Sequence, residues 1–388
     1  MEKINDKLYN WASHLDINAQ LQAERTARLP IVERVALMPD AHLGMGATVG
    51  SVIATNGAVI PAAVGVDIGC GMAAVEFDLT ADGLPDDLEA FLPMVERAIP
   101  AGVGQGHDDG TNAGRQWLKD NVGKFTTDLR KEKLDGLAVN QLGSLGSGNH
   151  FFEVCLDDRD HVWIVLHSGS RGIGNKLATR HIKDAKALAA DRQTFLEDKD
   201  LAYFSEEDEG FDLYIGDMLA CQDWAMANRQ VMLKRALAAF NGFMGRTVPI
   251  VQTINCHHNF TQKEIHEGRE VWITRKGAIK ADVGDKGIIP GSMGTRSYIV
   301  SGLGNSDSFC SCSHGAGRIH SRSAAKKLFT EEDLEVAMEG KVWNRGSATA
   351  LVDEIPGAYK PIEQVMADQA DLVSIDYELH QILNFKGQ

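Results

Sequence analysis

Hydrophobic residues change their spacing several times along the first half of the chain. Between Leu8 and Leu21 they recur at roughly helical intervals, which predicts helix and turn over the first 35 residues. Residues 35–77 and 139–170 carry short apolar runs interrupted by glycine, which predict strands. Within the first of these segments, Thr55-Asn56-Gly57-Ala58 has the composition of a tight turn and predicts a β-hairpin.

The second half of the chain alternates in the same way over longer segments. Residues 175–244 are predicted to be mainly helical, and residues 248–315 to form strands and turns. A helical pattern runs from Ala316 to Met338, and the closing segment 372–388 resembles a strand. No repeat, low-complexity tract or linker divides the chain, so we expect a single α+β domain over residues 1–388 with a composite site.

Acidic residues outnumber basic ones, with 54 Asp and Glu against 39 Lys and Arg and a formal net charge of −15. This balance argues against a protein that holds nucleic acid by bulk charge, although it leaves room for a local basic patch. No apolar run approaches the ~20 residues of a membrane helix, and the N-terminus has no apolar signal core. Six cysteines are too few for a disulfide scaffold of this length. These features predict a cytoplasmic protein without membrane contact.

Several residue types that bind metals lie in glycine-flanked or apolar-flanked turns. Asp67 and Cys70 are three residues apart in Gly-Val-Asp-Ile-Gly-Cys-Gly, so a carboxylate and a thiolate can converge on one point. The histidines in comparable turns are His42, His150, His167, His257, His258 and His314. This donor set suits a borderline divalent ion such as Zn²⁺, Mn²⁺ or Co²⁺, and one thiolate can bridge two ions. Any one of these histidines alone is as well explained as a hydrogen-bonded core residue, but their combination favours a metal site.

Cys310 and Cys312 alternate with His314, and on a strand the three side chains would share one face. Metal binding is one interpretation of this spacing. The interpretation we favour is that both cysteines are small buried residues that pack beneath a functional His314.

Two stretches resemble phosphate-binding turns. His314 is followed by Gly-Ala-Gly and by Arg318, Arg322 and Lys326, which would form one basic face if the segment were helical. Arg171 follows His167 in a similar glycine-rich segment before a predicted helix. Neither stretch matches a P-loop or a dinucleotide fingerprint. Next to the candidate metal ligands, they favour a polyphosphate or nucleic-acid ligand.

Taken together, these motifs resemble the RtcB family of RNA ligases, close to its bacterial members. The matching segments include VALMPDAHLGMG, IPAAVGVDIGCGM, LGSLGSGNHFFEVCL, VWIVLHSGSRGIGN, SFCSCSHGAGR and DEIPGAYK. The resemblance covers the chain from about residue 35 to the C-terminus. It implies the family's own fold, a mixed β-sheet core flanked by helices around a central metal and nucleotide site. Met45 and Asn56 stand where many members carry lysine, which indicates a divergent paralogue with altered RNA choice or affinity.

The resemblance also implies an activity. The family joins an RNA end with a 2′,3′-cyclic phosphate or 3′-phosphate to a 5′-hydroxyl end, using GTP and two Mn²⁺ ions through a guanylylated histidine. RNA repair and tRNA splicing are the expected roles, and an archease-like helper is a possible partner. His314 matches the histidine that takes GMP, and Asp40 matches the carboxylate that orients it. The implied metal ligands are Asp67, Cys70, His150, His167 and His258. The implied nucleotide contacts are Asn149, Phe151, Glu153, Arg171, Ser292, Gly315, Ala316, Gly317, Tyr359 and Lys386.

Two other functions remain open at this point. A binuclear metal-dependent phosphoesterase acting on nucleotides or RNA ends would use the same metal ligands, but it has no use for His314 in its glycine turn. A non-enzymatic RNA-binding protein would bind RNA without nucleotide turnover. For the ligase we expect RNA to be held by a basic strip that includes Arg171, Arg318, Arg322 and Lys326, with binding that weakens steeply as salt increases.

Overall fold

A computed structural model of the protein describes residues 1–387, and Gln388, the last residue of the predicted closing strand and domain, lies outside them. The strands are β1 Glu2–Asn5, β2 Leu8–Asn10, β3 Val32–His42, β4 Val49–Thr55, β5 Ala58–Val59, β6 Gly71–Thr80, β7 Phe151–Asp157, β8 His161–Ser168, β9 Phe204–Ser205, β10 Ile250–His257, β11 Asn259–His266, β12 Arg269–Lys276, β13 Ala278–Lys280, β14 Lys286–Pro290, β15 Arg296–Gly302, β16 Ser311–Ser313, β17 Val342–Trp343 and β18 Val373–Lys386.

The α-helices are α1 Ile17–Ala27, α2 Pro61–Val64, α3 Leu92–Ala98, α4 Asn112–Asn121, α5 Asp135–Asn140, α6 Arg171–Asp191, α7 Glu209–Met244, α8 Arg322–Leu328, α9 Glu331–Ala337, α10 Ala348–Leu351 and α11 Ile362–Asp368. Short 3-10 turns connect several of them. Strands and helices are mixed along the whole chain, which confirms the predicted α+β class with a sheet core flanked by helices.

Two large sheets form the core. The first has the strand order β1-β2-β3-β4-β12-β11, and the second has the order β10-β6-β8-β7-β18-β15-β14, with β17 paired in parallel to β18. Met38 and Ile273 of the first sheet share one buried cluster with Ile289 and Val300 of the second, so the sheets pack against each other. Each Å² of apolar surface that the sheets remove from water stabilises the folded state by about 25 cal/mol.

Helices cover the outer faces of both sheets. Phe91 near α3 and Phe240 of α7 pack in one cluster with Phe77 and Phe152 of the second sheet, and the rings of Phe77 and Phe240 lie 4.7 Å apart. Helix α1 packs its buried face against β3 and β4 of the first sheet. Asp16 caps this helix by accepting from the backbone N–H groups of Asn18 and Ala19.

Three local predictions need correction. The first 35 residues contain β1 and β2 as well as α1, because their apolar residues join the edge of the first sheet. Thr55-Asn56-Gly57-Ala58 does turn the chain, but no hairpin forms: β4 pairs with β3 and β12, and the two-residue β5 pairs with β9. No helix runs from Ala316, because Gly317 has φ of +73° and α8 begins only at Arg322.

Candidate functional site

The candidate metal ligands lie at one edge of the second sheet. Asp67 and Cys70 precede β6, His150 precedes β7, His167 is near the end of β8 and His258 follows β10. The strand order β10-β6-β8-β7 is antiparallel throughout, so the starts of β6 and β7 meet the ends of β8 and β10. Residues that are distant in sequence therefore converge at this edge.

The side chains form two groups that share one thiol. Cys70 Sγ lies 3.4 Å from His150 Nε2 and 3.2 Å from His167 Nε2. His150 Nε2 also lies 3.0 Å from Asp67 Oδ2, and His167 Nε2 lies 3.2 Å from His258 Nε2. One group is Asp67, Cys70 and His150, and the other is Cys70, His167 and His258. The arrangement can hold two ions with Cys70 as the bridge.

Hydrogen bonds on the far side of two rings favour metal binding. His150 Nδ1 donates to the carbonyl oxygen of Leu145 at 2.9 Å, and His167 Nδ1 donates to that of Asn149 at 3.0 Å. Both Nε2 atoms therefore keep a lone pair that faces the thiol, as a metal ligand requires. The Nε2 atoms, the Cys70 sulfur and the Asp67 oxygen face one another at close range, and a bound cation would offset the repulsion between their lone pairs. The residues present therefore fit a divalent metal.

Burial and charge decide the protonation of the ligands. Burial lowers the pKa of His167 and of His258, which keeps both imidazoles neutral. Burial opposes ionisation of Asp67, but the neighbouring His150 outweighs burial and lowers the pKa of Asp67 to about 2. Burial and the Asp67 charge raise the pKa of the Cys70 thiol, so its ionisation as a ligand would require the charge of bound metal.

A buried arginine holds the turn that carries Asp67 and Cys70. Arg229 of α7 donates to the carbonyl oxygens of Gly69 at 2.9 Å and Ser168 at 3.0 Å, which joins the start of β6 to the end of β8. Its Nε also donates to Asn255 Oδ1 at 2.7 Å. The role of Arg229 is not evident from the sequence, because this residue lies in a long helix with no local motif around it.

His314 and Asp40 form a pair next to the candidate metal ligands. Asp40 Oδ2 accepts from His314 Nδ1 at 2.6 Å and from the backbone N–H groups of His314 at 3.1 Å and Gly315 at 3.2 Å. Asp40 is fully buried, which opposes its ionisation, but the neighbouring His314 outweighs burial and lowers its pKa. The ring centroid of His314 lies 4.8 Å from that of His258. The pair is therefore adjacent to one of the two candidate metal groups.

Gly317 allows the segment after His314 to cross Asp40. A Cβ atom at this position would lie 2.2 Å from the Asp40 carbonyl oxygen, and φ is +73°. The chain then continues with a β-bridge between Arg318 and Tyr359. The glycine turn thus fixes the histidine by close backbone contact.

A first cleft, which we call the nucleotide cleft, opens on one side of His314. Its lining includes nine of the ten predicted nucleotide contacts, namely Asn149, Phe151, Glu153, Ser292, Gly315, Ala316, Gly317, Tyr359 and Lys386. Phe151 and Glu153 of β7 pair with Lys386 and Asn384 of β18, so one antiparallel strand pair supplies the end wall. Burial raises the pKa of Glu153 to about 8, although Lys386 and Asn384 oppose the shift.

Two residues that support this wall were missed. Asn384 Nδ2 donates to Glu153 Oε1 at 2.7 Å. Glu354 accepts from Lys386 Nζ and from the Tyr359 hydroxyl, each at 2.8 Å. Burial opposes ionisation of Glu354, but Lys386 and Arg322 outweigh it and lower its pKa to about 2. Glu354 lies in the quoted segment DEIPGAYK and Asn384 in the predicted closing strand, but nothing in the sequence distinguishes either from a structural polar residue.

The predicted basic residues are arranged differently from the expected strip. Arg322 donates to Asp353 Oδ2 at 2.6 Å and also contacts Glu354, and Lys326 lies 3.5 Å from Asp353 Oδ1. Arg318 donates to the Tyr359 hydroxyl and to the Asp353 carbonyl oxygen, and it precedes α8, so the three do not form one helical face. These cations are already paired within the protein.

Arg171 is the predicted nucleotide contact that does not line the nucleotide cleft. Its guanidinium group donates to Ser144 Oγ at 3.4 Å and to the Gly102 carbonyl oxygen at 3.3 Å. Cys312 is buried in the core between the sheets, and neither it nor Cys310 belongs to a potential metal group among residues 1–387. This agrees with the interpretation of a buried packing residue for Cys312, whereas Cys310 is only half-buried.

Comparison with known proteins identifies the family. Residues 22–387 match the family described as tRNA-splicing ligase RtcB. The chain belongs to the RtcB family. It is 45% identical to the RNA-splicing ligase RtcB of Escherichia coli K12, over 98% of this chain and 97% of that protein. It is 30% identical to the tRNA-splicing ligase RtcB of Thermococcus kodakarensis, over 89% of this chain and 86% of that protein.

The comparisons confirm the predicted resemblance and the RtcB-type fold. Within residues 1–387, every helix is too short or too polar to cross a lipid bilayer. The cytoplasmic location stays a prediction.

Proposed function

We propose that this RtcB-family protein is an RNA ligase that joins a 2′,3′-cyclic phosphate or 3′-phosphate end to a 5′-hydroxyl end, with GTP and Mn²⁺. The observation that carries the proposal is the position of His314, which is hydrogen-bonded to Asp40, meets the ring of His258 edge to face and lines two adjoining clefts. One cleft suits a nucleotide, and the other leads to the metal ligands. A histidine between them can receive a nucleotide from one and pass it to a substrate in the other.

The hydrogen bond to Asp40 sets the reactive form of His314. Because Nδ1–H is donated to Asp40, the Nε2 lone pair is free to attack the α-phosphorus of GTP. The N–P bond forms as the bond to pyrophosphate breaks, and Asp40 stabilises the positive imidazolium that results. GMP then passes from His314 to the RNA 3′-phosphate, and the 5′-hydroxyl displaces it to form the phosphodiester. A cyclic end is first opened by water.

The metal ligands have a separate task. We propose that Asp67, Cys70, His150, His167 and His258 hold two Mn²⁺ ions. When bound, the ions neutralise phosphate oxygens and stabilise the leaving groups. Cys70 belongs to both groups, so it would fix the two ions relative to each other.

Selection of guanine would come from the end wall of the nucleotide cleft. Guanine presents two adjacent N–H donors, which the two oxygens of an ionised Glu153 can accept together, and adenine lacks this pair. Asn384 holds Glu153 in place, and Lys386 lies beside it over the ring of Phe151. The remaining contacts, including Asn149, Ser292, Tyr359 and the Gly315–Gly317 turn, line the same cleft.

The biological role that we propose is RNA repair, tRNA splicing or both, in keeping with the names of the relatives. We also propose that residues 1–388 act as one catalytic domain, because both sheets contribute to the site: Asp40 comes from the first and His167 from the second. An archease-like helper stays a prediction.

Labelling of the protein with GTP tests the proposal. The full chain is incubated with α-labelled GTP and Mn²⁺ and separated under denaturing conditions. Wild type should carry an acid-labile label that ATP does not supply. His314→Ala should lose the label and RNA ligation but keep its metal content, while the exposed His380→Ala serves as a matched control and should behave as wild type.

The alternative phosphoesterase predicts a different pattern. Strong hydrolysis of simple phosphoesters that survives in His314→Ala, with no labelled band in wild type, would refute the ligase proposal. Label on wild type together with joined RNA would exclude the phosphoesterase.

A further inference from the structure

The second cleft at His314 has an aliphatic wall. Besides Asp67, Cys70, His258 and His314, its lining includes Met45, Val49, Val66 and Ile182, which we call the aliphatic wall. Met45 is 83% exposed and Val66 is 36% exposed. Exposed apolar side chains gathered beside a reactive centre mark a binding surface more often than isolated ones do.

The basic side chains in this cleft already form hydrogen bonds or ion pairs within the protein. Lys276 is buried, and its Nζ donates to the carbonyl oxygens of Met45 at 2.7 Å and Ala62 at 2.8 Å. Lys186 pairs with Asp200, which also lines the cleft. Arg318 and Arg322 bond to the segment 353–359. Each of these cations already has a partner, so the wall presents mainly apolar surface to whatever enters.

The aliphatic wall is continuous with the reacting centre. A phosphate that reaches His314 and the metal ligands through this cleft brings its own nucleoside in with it. Of the parts of a nucleotide, only the flat face of the base is apolar. Stacking of bases on side chains is tolerant of sequence, and the methionine thioether makes favourable contacts with aromatic rings.

We propose that the aliphatic wall binds the nucleobase of the terminal nucleotide at a reacting RNA end, so that the preferred substrates are RNA ends whose last base is unpaired. This inference rests on the proposed function and adds to it the class of RNA end. A base held in a duplex is stacked on its neighbour and bonded to its partner, so it cannot present its face to Met45 and Val66.

RNA that lacks the terminal base tests this inference in the wild-type protein. Ligation is measured from pre-guanylylated protein with Mn²⁺, using RNA whose terminal nucleotide is abasic at either the 3′-phosphate end or the 5′-hydroxyl end. The comparison RNA has its abasic nucleotide several positions away. Removal of the terminal base should slow ligation by about tenfold or more at one or both ends, and removal of the internal base by less than about twofold.

Variants test whether the aliphatic wall causes the slower ligation of RNA that lacks its terminal base. Met45→Ala should slow ligation of intact RNA by about threefold to tenfold but cause little further loss with the RNA that lacks the sensitive base. Val283→Ala, which removes an equally exposed side chain outside this cleft, is the matched control and should ligate both RNAs as wild type does.

The outcomes separate the two proposals. Absence of guanylylation would overturn the proposed function. Normal guanylylation, together with equal ligation of intact and terminally abasic RNA at both ends, would overturn the wall as a base site and leave the ligase proposal standing.

Discussion

Replacement of Asp40 by Asn removes the charge that stabilises the imidazolium of His314 in the proposed mechanism. Asp40 Oδ2 accepts three hydrogen bonds, one from the ring and two from the backbone at His314 and Gly315. The Asn side chain has nearly the same shape, but it carries no charge and its amide nitrogen can donate. The backbone N–H groups of His314 and Gly315 require an acceptor at the Oδ2 position, so the amide oxygen would stay there. The variant would therefore keep the bond to Nδ1–H and lose the charge that stabilises the imidazolium.

The geometry allows an estimate of the loss. A hydrogen bond to a charged group contributes about 1.5–3 kcal/mol, which corresponds to about 10- to 150-fold in rate if it is made only in the transition state. We therefore expect Asp40→Asn to slow guanylylation by about 10- to 150-fold.

The assay is single-turnover transfer of label from α-labelled GTP to the protein, with bound metal measured on the same samples. Asp217→Asn is the matched control. Like Asp40, Asp217 is buried and hydrogen-bonded to a histidine, with 2.8 Å between its Oδ2 and His181 Nε2, but it lies outside both clefts at His314. This control should keep its guanylylation rate. A rate for Asp40→Asn within about threefold of wild type, with metal intact, would refute the reasoning, because it is below the weakest expected loss.

Three further predictions concern metal, pH and salt. Cys70→Ser should weaken binding of both ions, because Cys70 belongs to both groups, whereas His150→Ala should weaken binding of one ion only. Metal content after dialysis measures this difference. Two ions retained by Cys70→Ser would contradict a bridging role for Cys70. Glu153 has its pKa raised to about 8, so below that pH its proton has to leave before guanine can bind, and KM for GTP should rise as pH falls from 8 towards 6.5. Glu153→Gln should bind GTP weakly and lose this dependence, and a flat wild-type profile would count against Glu153 as the guanine acceptor. A plot of the logarithm of the RNA binding constant against the logarithm of salt concentration should have a slope shallower than about −1.5, because Arg318, Arg322 and Lys326 are already paired within the protein. Four free cations on single-stranded RNA would give a slope of about −3. Titrations of binding at several salt concentrations decide between these slopes, and the steeper one would restore the basic strip.

The sequence by itself determined the chemical nature of the site. Asp67 and Cys70 could be assigned to one turn because glycines surround them, and His314 stood out because Gly-Ala-Gly follows it. The long closing strand β18 was also evident from its apolar pattern. These features are local, because turn chemistry and residue spacing act over a few positions along the chain.

Tertiary structure decided which residues support the site. Arg229 reaches the turn that carries Asp67 and Cys70 only because α7 packs on the second sheet. Asn384 contacts Glu153 only because β18 pairs with β7 in this register. Neither contact has a sequence pattern, since each joins elements more than 150 residues apart.

Tertiary structure also decides whether the basic residues are free to bind phosphate. Arg322 and Lys326 resemble a free phosphate-binding face in the sequence, but the segment 353–354 brings two carboxylates against them. Charge along the chain gives only the number of cations, whereas their pairing depends on which acids the fold places within hydrogen-bonding distance. The same fold leaves Met45 and Val66 exposed beside His314, where their hydrophobicity alone would have predicted burial.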